Sequence, residues 1–306
     1  MNDIHSQPLK AGFVAVAGRP NVGKSSLINA ILGQKIAIVS PKPQTTRRNQ
    51  LGILTEPGLQ IVFVDTPGLH EARNPLGDFM MDAAGRALAE ADAVLWIVDA
   101  SVAPTPGDRH AIARILAAAP NAPKVLALNK SDKLKPAHVI TNSNAYRALV
   151  PDAAWMLVSA TRGDNLDELR QMLVDALPES EAYLYPEDEV TQTHLRDLAG
   201  ELIREAALNA LEQEVPHGIA VDVLDYDESQ AGEVRISAEV IVERDTHKAI
   251  VIGKGGTMLQ RIGTEARREI ENLVGTHVYL DLHVKVEPGW RDNARTVRRL
   301  GYRPED

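Results

Sequence analysis

The stretch that most constrains the fold is Gly18-Arg19-Pro20-Asn21-Val22-Gly23-Lys24-Ser25, a G-x-x-x-x-G-K-S pattern. Residues 12–17 before it are apolar and β-prone, and residues 26–32 after it, starting at Ser26, read as a helix. Strand, glycine-rich loop and helix in that order build a phosphate cradle. The glycines let consecutive N–H groups turn inward, and the helix N-terminus adds its dipole. Lys24 can reach the outer phosphates of a nucleoside triphosphate, and the Ser25 hydroxyl can ligate Mg²⁺.

Such a loop needs a sheet behind it. Apolar strand-like runs at 13–17, 51–55, 60–65, 93–99, 124–129 and 155–159 alternate with helix-like segments at 25–32, 76–90, 108–119, 137–149 and 165–176. Alternation with fully apolar central strands predicts an α/β fold, a P-loop domain on a mostly parallel sheet with helices on both faces. Ligands of such sheets sit beyond the carboxyl ends of the strands.

Three further motifs fall at those ends. Asp65-Thr66-Pro67-Gly68 closes one strand: the carboxylate can hold Mg²⁺, and the Gly68 N–H can face a γ-phosphate. Asn129-Lys130-Ser131-Asp132 closes another. A carboxylate at Asp132 can accept from guanine's ring N–H and exocyclic amine, a pair adenine does not offer. Asn129 can tie this loop to the phosphate loop, and the Lys130 stem can cover the purine face. Ser159-Ala160, at the last strand end, can offer backbone N–H groups to the guanine carbonyl. Between the phosphate loop and Asp65 lies a polar segment with two prolines, 40–48. A threonine there can complete a Mg²⁺ shell while the γ-phosphate is present and release it after hydrolysis. Thr46 is the choice and Thr45 the alternative. Lys24, Thr46 and Gly68 are the catalytic candidates; Ser25, Thr46 and Asp65 are the Mg²⁺ candidates. His70 reads as a surface turn histidine rather than a base, since this chemistry needs positioning more than proton abstraction.

The pattern changes after residue 180. Residues 181–189 are acidic and non-periodic and read as a linker. Beyond it a helix is expected over 190–214, strands over 219–226 and 233–243 joined by a polar loop at 227–232, helices over 246–252 and 257–274, and a strand over 277–287. Between the last two helices stands Gly253-Lys254-Gly255-Gly256. A G-x-x-G turn between helices is the backbone clamp of a KH domain, with Ile252 lining the base groove and Lys254 and Arg261 adding charge. From 246 to 303 there are 11 Lys/Arg against 6 Asp/Glu, inside a chain of net charge −9. That local excess suits nucleic acid. The stretch 290–303 carries five arginines and one aspartate, which either contact phosphates or face water from a helix packed by Trp290 and Leu300.

The expected organisation is therefore a tail at 1–10, a GTPase domain at 11–180, a linker at 181–189, a smaller α+β type II KH domain at 190–289 and a basic tail at 290–306. The chain has no cysteine, which excludes disulfides, thiolate metal sites and cysteine nucleophiles and fits a cytoplasmic protein. The first ten residues are polar and do not read as a signal peptide. No apolar stretch approaches the ~20 residues that a spanning helix needs.

GRPNVGKS, the TT pair, DTPG, NKSD and SA in this order resemble the translation-factor-like GTPases, and PQTTR with VDTPGLH is similar to the Era branch. With the KH half and the ending VKVEPGW…VRRLGY, the resemblance to the Era family covers nearly the whole chain. It implies GTP/GDP, Mg²⁺ and hydrolysis to GDP and phosphate, and binding to the 3′ end of 16S rRNA during maturation of the small (30S) ribosomal subunit. It also brings peripheral association with the inner face of the cell membrane, which no residue pattern here signals. A monomer is expected, and DNA is not an expected partner. Leu69 stands where Ras-like enzymes carry a water-orienting glutamine, so intrinsic hydrolysis is expected to be slow. In related GTPases an asparagine at the position of Asn21 helps hold K⁺, and the resemblance suggests the same here. The alternative reading is an RNA-binding module with a structural, little-hydrolysed guanine nucleotide.

Overall fold

A computed structural model describes residues 9–229 and 232–303. The polar start at 1–8, residues 230 and 231 of the loop expected at 227–232, and the last three residues of the basic tail lie outside the described residues. The chain forms two compact units. The first takes in residues up to Ala37, then 46–71 and 80–192; the second takes in 38–45, 72–79 and 193 onward.

In the first unit, strands β1 (Lys10–Ala17), β2 (Gln50–Glu56), β3 (Leu59–Asp65), β4 (Ala93–Asp99), β5 (Lys124–Asn129) and β6 (Ala154–Leu157) form one sheet in the order β2-β3-β1-β4-β5-β6. Only the β2–β3 pair is antiparallel. The helices are α1 (Lys24–Leu32), α2 (Pro75–Ala89), whose first residues belong to the second unit, α3 (Pro106–Ala118), α4 (Val139–Arg147) and α5 (Leu166–Ala176). β3 is buried at every residue and β4 at all but Asp99. That is the condition of strands covered on both faces, and it explains why both read as unbroken apolar runs. β1 and β4 are parallel neighbours, so their carboxyl ends open on the same side.

The acidic stretch expected as a linker is fastened to the β2–β3 hairpin. Tyr183 Oη donates to the Glu56 carbonyl (3.0 Å). The Gln60 side chain, fully buried, accepts from the N–H groups of Leu184 (2.7 Å) and Tyr185 (2.9 Å).

In the second unit, α6 (Leu195–Ala210) is followed by β7 (Ala220–Asp227), β8 (Glu233–Val242), α7 (Asp245–Ile252), α8 (Thr257–Val274), β9 (His277–Val286) and α9 (Ala294–Arg299). The sheet order is β7-β8-β9, with β7 antiparallel and β9 parallel to β8. Helices cover one face. Ile262, Ala266 and Ile270, one helical turn apart on α8, are fully buried against the inward residues Val234, Ile236, Ala238 and Val240 of β8 and Val278 of β9. Two differences from the sequence pattern have local causes. The helix expected over 190–214 begins only at Leu195, because the Val190 carbonyl accepts from Ile53 N–H (2.8 Å) at the edge of β2. A register shift between Val223 and Asp225 turns Leu224 outward, half exposed, although its strand reads as apolar.

Candidate functional site

The phosphate loop closes around glycines that nothing larger can replace. A Cβ on Gly23 (φ +97°) would lie 2.5 Å from Asn129 Nδ2, and one on Gly68 would lie 2.9 Å from three atoms of Pro20. Both close approaches leave no room for a side chain at these positions. Gly23 itself is the N-cap, with no side chain bonded to the first turn. Gly18, Arg19, Pro20, Asn21 and Val22 form the loop ahead of it, and Ser26 lies within the first turn.

At the carboxyl end of β3 a compact polar group forms. Ser25 Oγ donates to Asp65 Oδ2 (2.6 Å), and Thr46 Oγ1 donates to the same oxygen (3.2 Å). The two hydroxyls are 3.1 Å apart. Asp65 Oδ1 is buried without a hydrogen-bond partner. Lys24 is buried nearby; burial pushes its ammonium down and the Asp65 carboxyl up, while their mutual attraction opposes both shifts. Three hard oxygen ligands and an unused carboxylate oxygen suit Mg²⁺, which keeps octahedral oxygen coordination. The Thr45 hydroxyl instead donates to the Lys42 carbonyl (2.7 Å). Thr66 is consumed by structure, its hydroxyl donating to the Val16 carbonyl (2.8 Å), and Pro67 is buried beside it.

The base end is equally knit. Asn129 Nδ2 donates to the Val22 carbonyl (2.9 Å), and its Oδ1 accepts from the Ala160 N–H (3.1 Å). One amide thus joins the phosphate loop to the last strand end. Lys130 Nζ donates to the Asn21 carbonyl (2.7 Å) and to Asp99 Oδ2 (2.8 Å). Ser159, fully buried, donates to Asp132 Oδ1 (2.8 Å), which orients that carboxylate. Leu69 is buried and its N–H donates to the Gly18 carbonyl (3.0 Å), so this position offers water no polar side chain. The His70 ring bonds the Gly68 carbonyl (2.7 Å through Nδ1).

Two contributors carry no motif. Asp99 anchors Lys130, and Asp108, fully buried, accepts from Arg19 Nε (3.0 Å) while capping α3 through Thr105. The one available signal was the T-x-x-D box at 105–108, which announces a helix start and not a partner for the phosphate loop.

The second unit presents the other candidate surface. Gly253, Gly255 and Gly256 all have positive φ (72°, 63° and 82°), and a Cβ on Gly253 would meet Met258 at 2.8 Å. α8 begins at Thr257 with Gly256 as its N-cap and no side-chain cap, and the Thr257 N–H donates to the Lys254 carbonyl. Lys254 and Arg261 are exposed, and Ile252 is half-buried at the edge of the core. The tail is different. Trp290 is fully buried, donates to the Gly218 carbonyl (2.8 Å) and stacks on Tyr302. Arg291 forks onto Glu243 and Arg299 pairs with Asp222 and Glu287, so the stretch is packed structure with part of its charge neutralised.

A P-loop GTPase domain followed by a KH domain is the class that this fold and these loops define. Residues 13–130 match the family model of the 50S ribosome-binding GTPases, and residues 214–291 match that of the KH domain. The chain is similar to GTPase Era of Lacticaseibacillus paracasei, at 45% identity over 306 residues covering 100% of this chain and 99% of that protein. It is 40% identical over 294 residues to GTPase Era of Clostridium botulinum, covering 96% and 98%. Among solved structures it resembles Era in complex with MgGDPNP and nucleotides 1506–1542 of 16S ribosomal RNA, with a TM-score of 0.90, 40% identity and coverage of 96% and 99%. It also resembles an Aquifex aeolicus Era variant bound to GDP·AlF4⁻, with a TM-score of 0.89, 40% identity and the same coverage. The chain belongs to the GTPase Era family.

Proposed function

We propose that this protein hydrolyses GTP, binds the 3′ end of 16S rRNA and supports maturation of the small ribosomal subunit. The observation that carries the reading is the coexistence, in one chain, of a complete guanine-nucleotide loop cluster and an open G-x-x-G turn. The relative whose structure holds both MgGDPNP and a 16S rRNA fragment matches this chain over both units.

The geometry supports the following roles. Backbone N–H groups of the 18–25 loop, Pro20 apart, would receive the phosphates, and Lys24 would balance their outer charge. Ser25, Thr46 and Asp65 would hold Mg²⁺, which when bound neutralises charge on the phosphate oxygens. The Gly68 N–H would serve the γ-phosphate, and Asp132 would select guanine with Asn129, Lys130, Ser159 and Ala160 fixing its loop. Because Leu69 is buried and apolar, intrinsic hydrolysis is slow and water is positioned from elsewhere. Asn21 is the candidate ligand of a K⁺ ion; equal rates in Na⁺ and K⁺ would remove that role. Ile252, the 253–256 turn and Arg261 take the RNA.

RNA crosslinking and sequencing in cells tests the partner. Reads should concentrate at the 16S 3′ end and disperse in Lys254→Glu; reads spread over unrelated RNAs in both forms would overturn the assignment. Single-turnover hydrolysis with and without small subunits tests the GTPase cycle. The protein works in the cytoplasm in this reading. Among the described residues no helix is long and apolar enough to cross a membrane. Contact with the inner face of the membrane is part of the same proposal, and sedimentation with anionic vesicles checks it.

A further inference from the structure

Helix α6 is buried at every residue from Leu198 to Leu208 except Glu201. Two of those buried residues are charged and adjacent, Arg204 (0% exposed) and Glu205 (6%). Both act on one short segment of their own unit, 38–45. An Arg204 Nη2 hydrogen bond goes to the Thr45 carbonyl, and another goes to Glu201, which also accepts from Arg204 Nε (3.0 Å). Glu205 Oε1 accepts from the Val39 N–H (2.7 Å). Ile38 lies in the apolar core of the same unit. The segment is therefore held by α6 at both ends.

A guanidinium is an expensive filler for such a place. Burying it is unfavourable unless it is paired, and an apolar side chain of similar volume would pack as well. Burial works to lower the Arg204 pKa, but the charge and hydrogen bond of Glu201, with Tyr302 and Glu205 adding to them, together raise it. A guanidinium stays charged in a protein, so Glu201 compensates that charge while Nη2 holds a backbone carbonyl.

That carbonyl has a specific neighbour. The Thr45 C=O and the Thr46 N–H share one planar peptide group, so gripping the oxygen fixes the plane from which Thr46 departs. Thr46 Oγ1 lies at 3.1 Å from Ser25 Oγ and 3.2 Å from Asp65 Oδ2. We propose that Arg204 is a positioning residue for Thr46, with Glu205 steadying the far end of the segment, so that α6 sets how tightly Mg²⁺·GTP is held while leaving GDP unaffected. This rests on the assignment of Thr46 to the Mg²⁺·GTP site. If the triphosphate needs the Thr46 hydroxyl and the diphosphate does not, only the former feels the grip. By linkage, whatever moves α6 in the full chain then moves GTP affinity by the same factor.

The experiment measures affinities of the full-length protein for a fluorescent GDPNP and a fluorescent GDP, each with Mg²⁺ and with EDTA. Arg204→Met is expected to weaken Mg²⁺·GDPNP binding by about five- to tenfold, the lower end of site-to-site couplings. GDP binding and binding in EDTA should not change. In a Thr46→Ala background, Arg204→Met should have no further effect. Should Arg204→Met not fold, Arg204→Lys, which keeps the charge but cannot hold Glu201 and the carbonyl with one planar fork, carries the same prediction. Equal losses for GDP and GDPNP, a loss that persists in Thr46→Ala, or no loss would each overturn the proposal. Failure of the underlying assignment reads differently: Thr46→Ala alone would then leave Mg²⁺·GDPNP binding intact.

Discussion

The nucleotide loops of the first unit and the G-x-x-G turn of the second prepare for their ligands in opposite ways. The nucleotide loops are tied to one another by side chains of their own, through Asn129, Lys130, Asp99 and Ser159. Their key polar atoms are mostly buried. The G-x-x-G turn is held by local backbone bonds, among them the Gly253 N–H on the Ala249 carbonyl (2.9 Å) and the Gly256 N–H on the Gly253 carbonyl (3.2 Å), and by the Thr257 hydroxyl on the Lys254 carbonyl (3.0 Å), with Lys254 and Gly255 exposed. Selecting one base and stabilising a transferring phosphoryl group demand groups fixed in advance and shielded from water. Gripping an RNA backbone demands close approach and charge, both of which tolerate an open surface.

If that contrast is sound, nucleotide-site variants should lose function by orders of magnitude with little dependence on salt. Lys24→Met is the largest case. It deletes a buried cation that lies near Asp65 and is proposed to balance the phosphates. Single-turnover hydrolysis should fall by roughly 10²–10³-fold, the scale of removing one preorganised charge-stabilising group. A loss under tenfold would show that the loop is less preorganised than its contacts imply. Asp132→Asn comes next. It replaces an acceptor-only group with an amide, leaving one guanine N–H facing a donor. GTP affinity should drop by about 2–3 kcal/mol, or roughly 30- to 150-fold. Xanthine nucleotides, which carry a carbonyl where guanine has its amine, should gain in the same competition assay.

The RNA turn should respond more gently. Gly253→Ala forces a side chain to φ +72° and against Met258, and it should lower the stability of the second unit by about 1–3 kcal/mol in urea titrations. RNA binding should weaken with GTP affinity unchanged. Lys254→Ala removes one exposed charge, so RNA affinity should fall only a few-fold. The plot of log Kobs against log salt should become shallower by about 0.7, the contribution of one single-strand phosphate contact. An unchanged slope would mean that Lys254 does not touch phosphate.

The same contrast governs what could be read from the chain. Phosphate and guanine recognition fix residue types at fixed spacings, so Lys24, Asp65 and Asp132 stand out without a structure. The sheet was legible because β3 and β4 are apolar on both faces. The groups that brace the site were not legible. Asp108 looks like an ordinary helix cap, and Asp99 like the polar end of a strand. Arg204 sits on a helix whose apolar stripe is readable, but nothing local says that the opposite side is also buried. Such roles arise from contacts across many residues of sequence, to which no local pattern corresponds. The tail shows the limit of charge counting: Arg291 and Arg299 meet carboxylates of their own unit, an outcome composition left open.

The smallest expected effect tests whether bracing of this kind matters at all. Asp99 is 13% exposed and pairs with Lys130. Burial alone would raise its pKa, but the Lys130 and Ser101 hydrogen bonds and the Lys130 charge prevail and hold the carboxyl below its ordinary value of 3.8. A carboxyl depressed on folding adds stability that is present above its unfolded pKa and is lost as pH falls through the folded one. Asp99→Asn should therefore destabilise by about 1 kcal/mol at pH 7, within the range for a partly exposed pair. The difference from wild type should shrink as pH falls below about 4. Urea titrations at pH 7, 5 and 4 follow it. Lys130 keeps its bond to the Asn21 carbonyl in the variant, so guanine nucleotide affinity should change far less than in Asp132→Asn. A loss of affinity approaching that of Asp132→Asn would instead make Asp99 part of base recognition, and the boundary between the recognising residues and their supports would have to be redrawn.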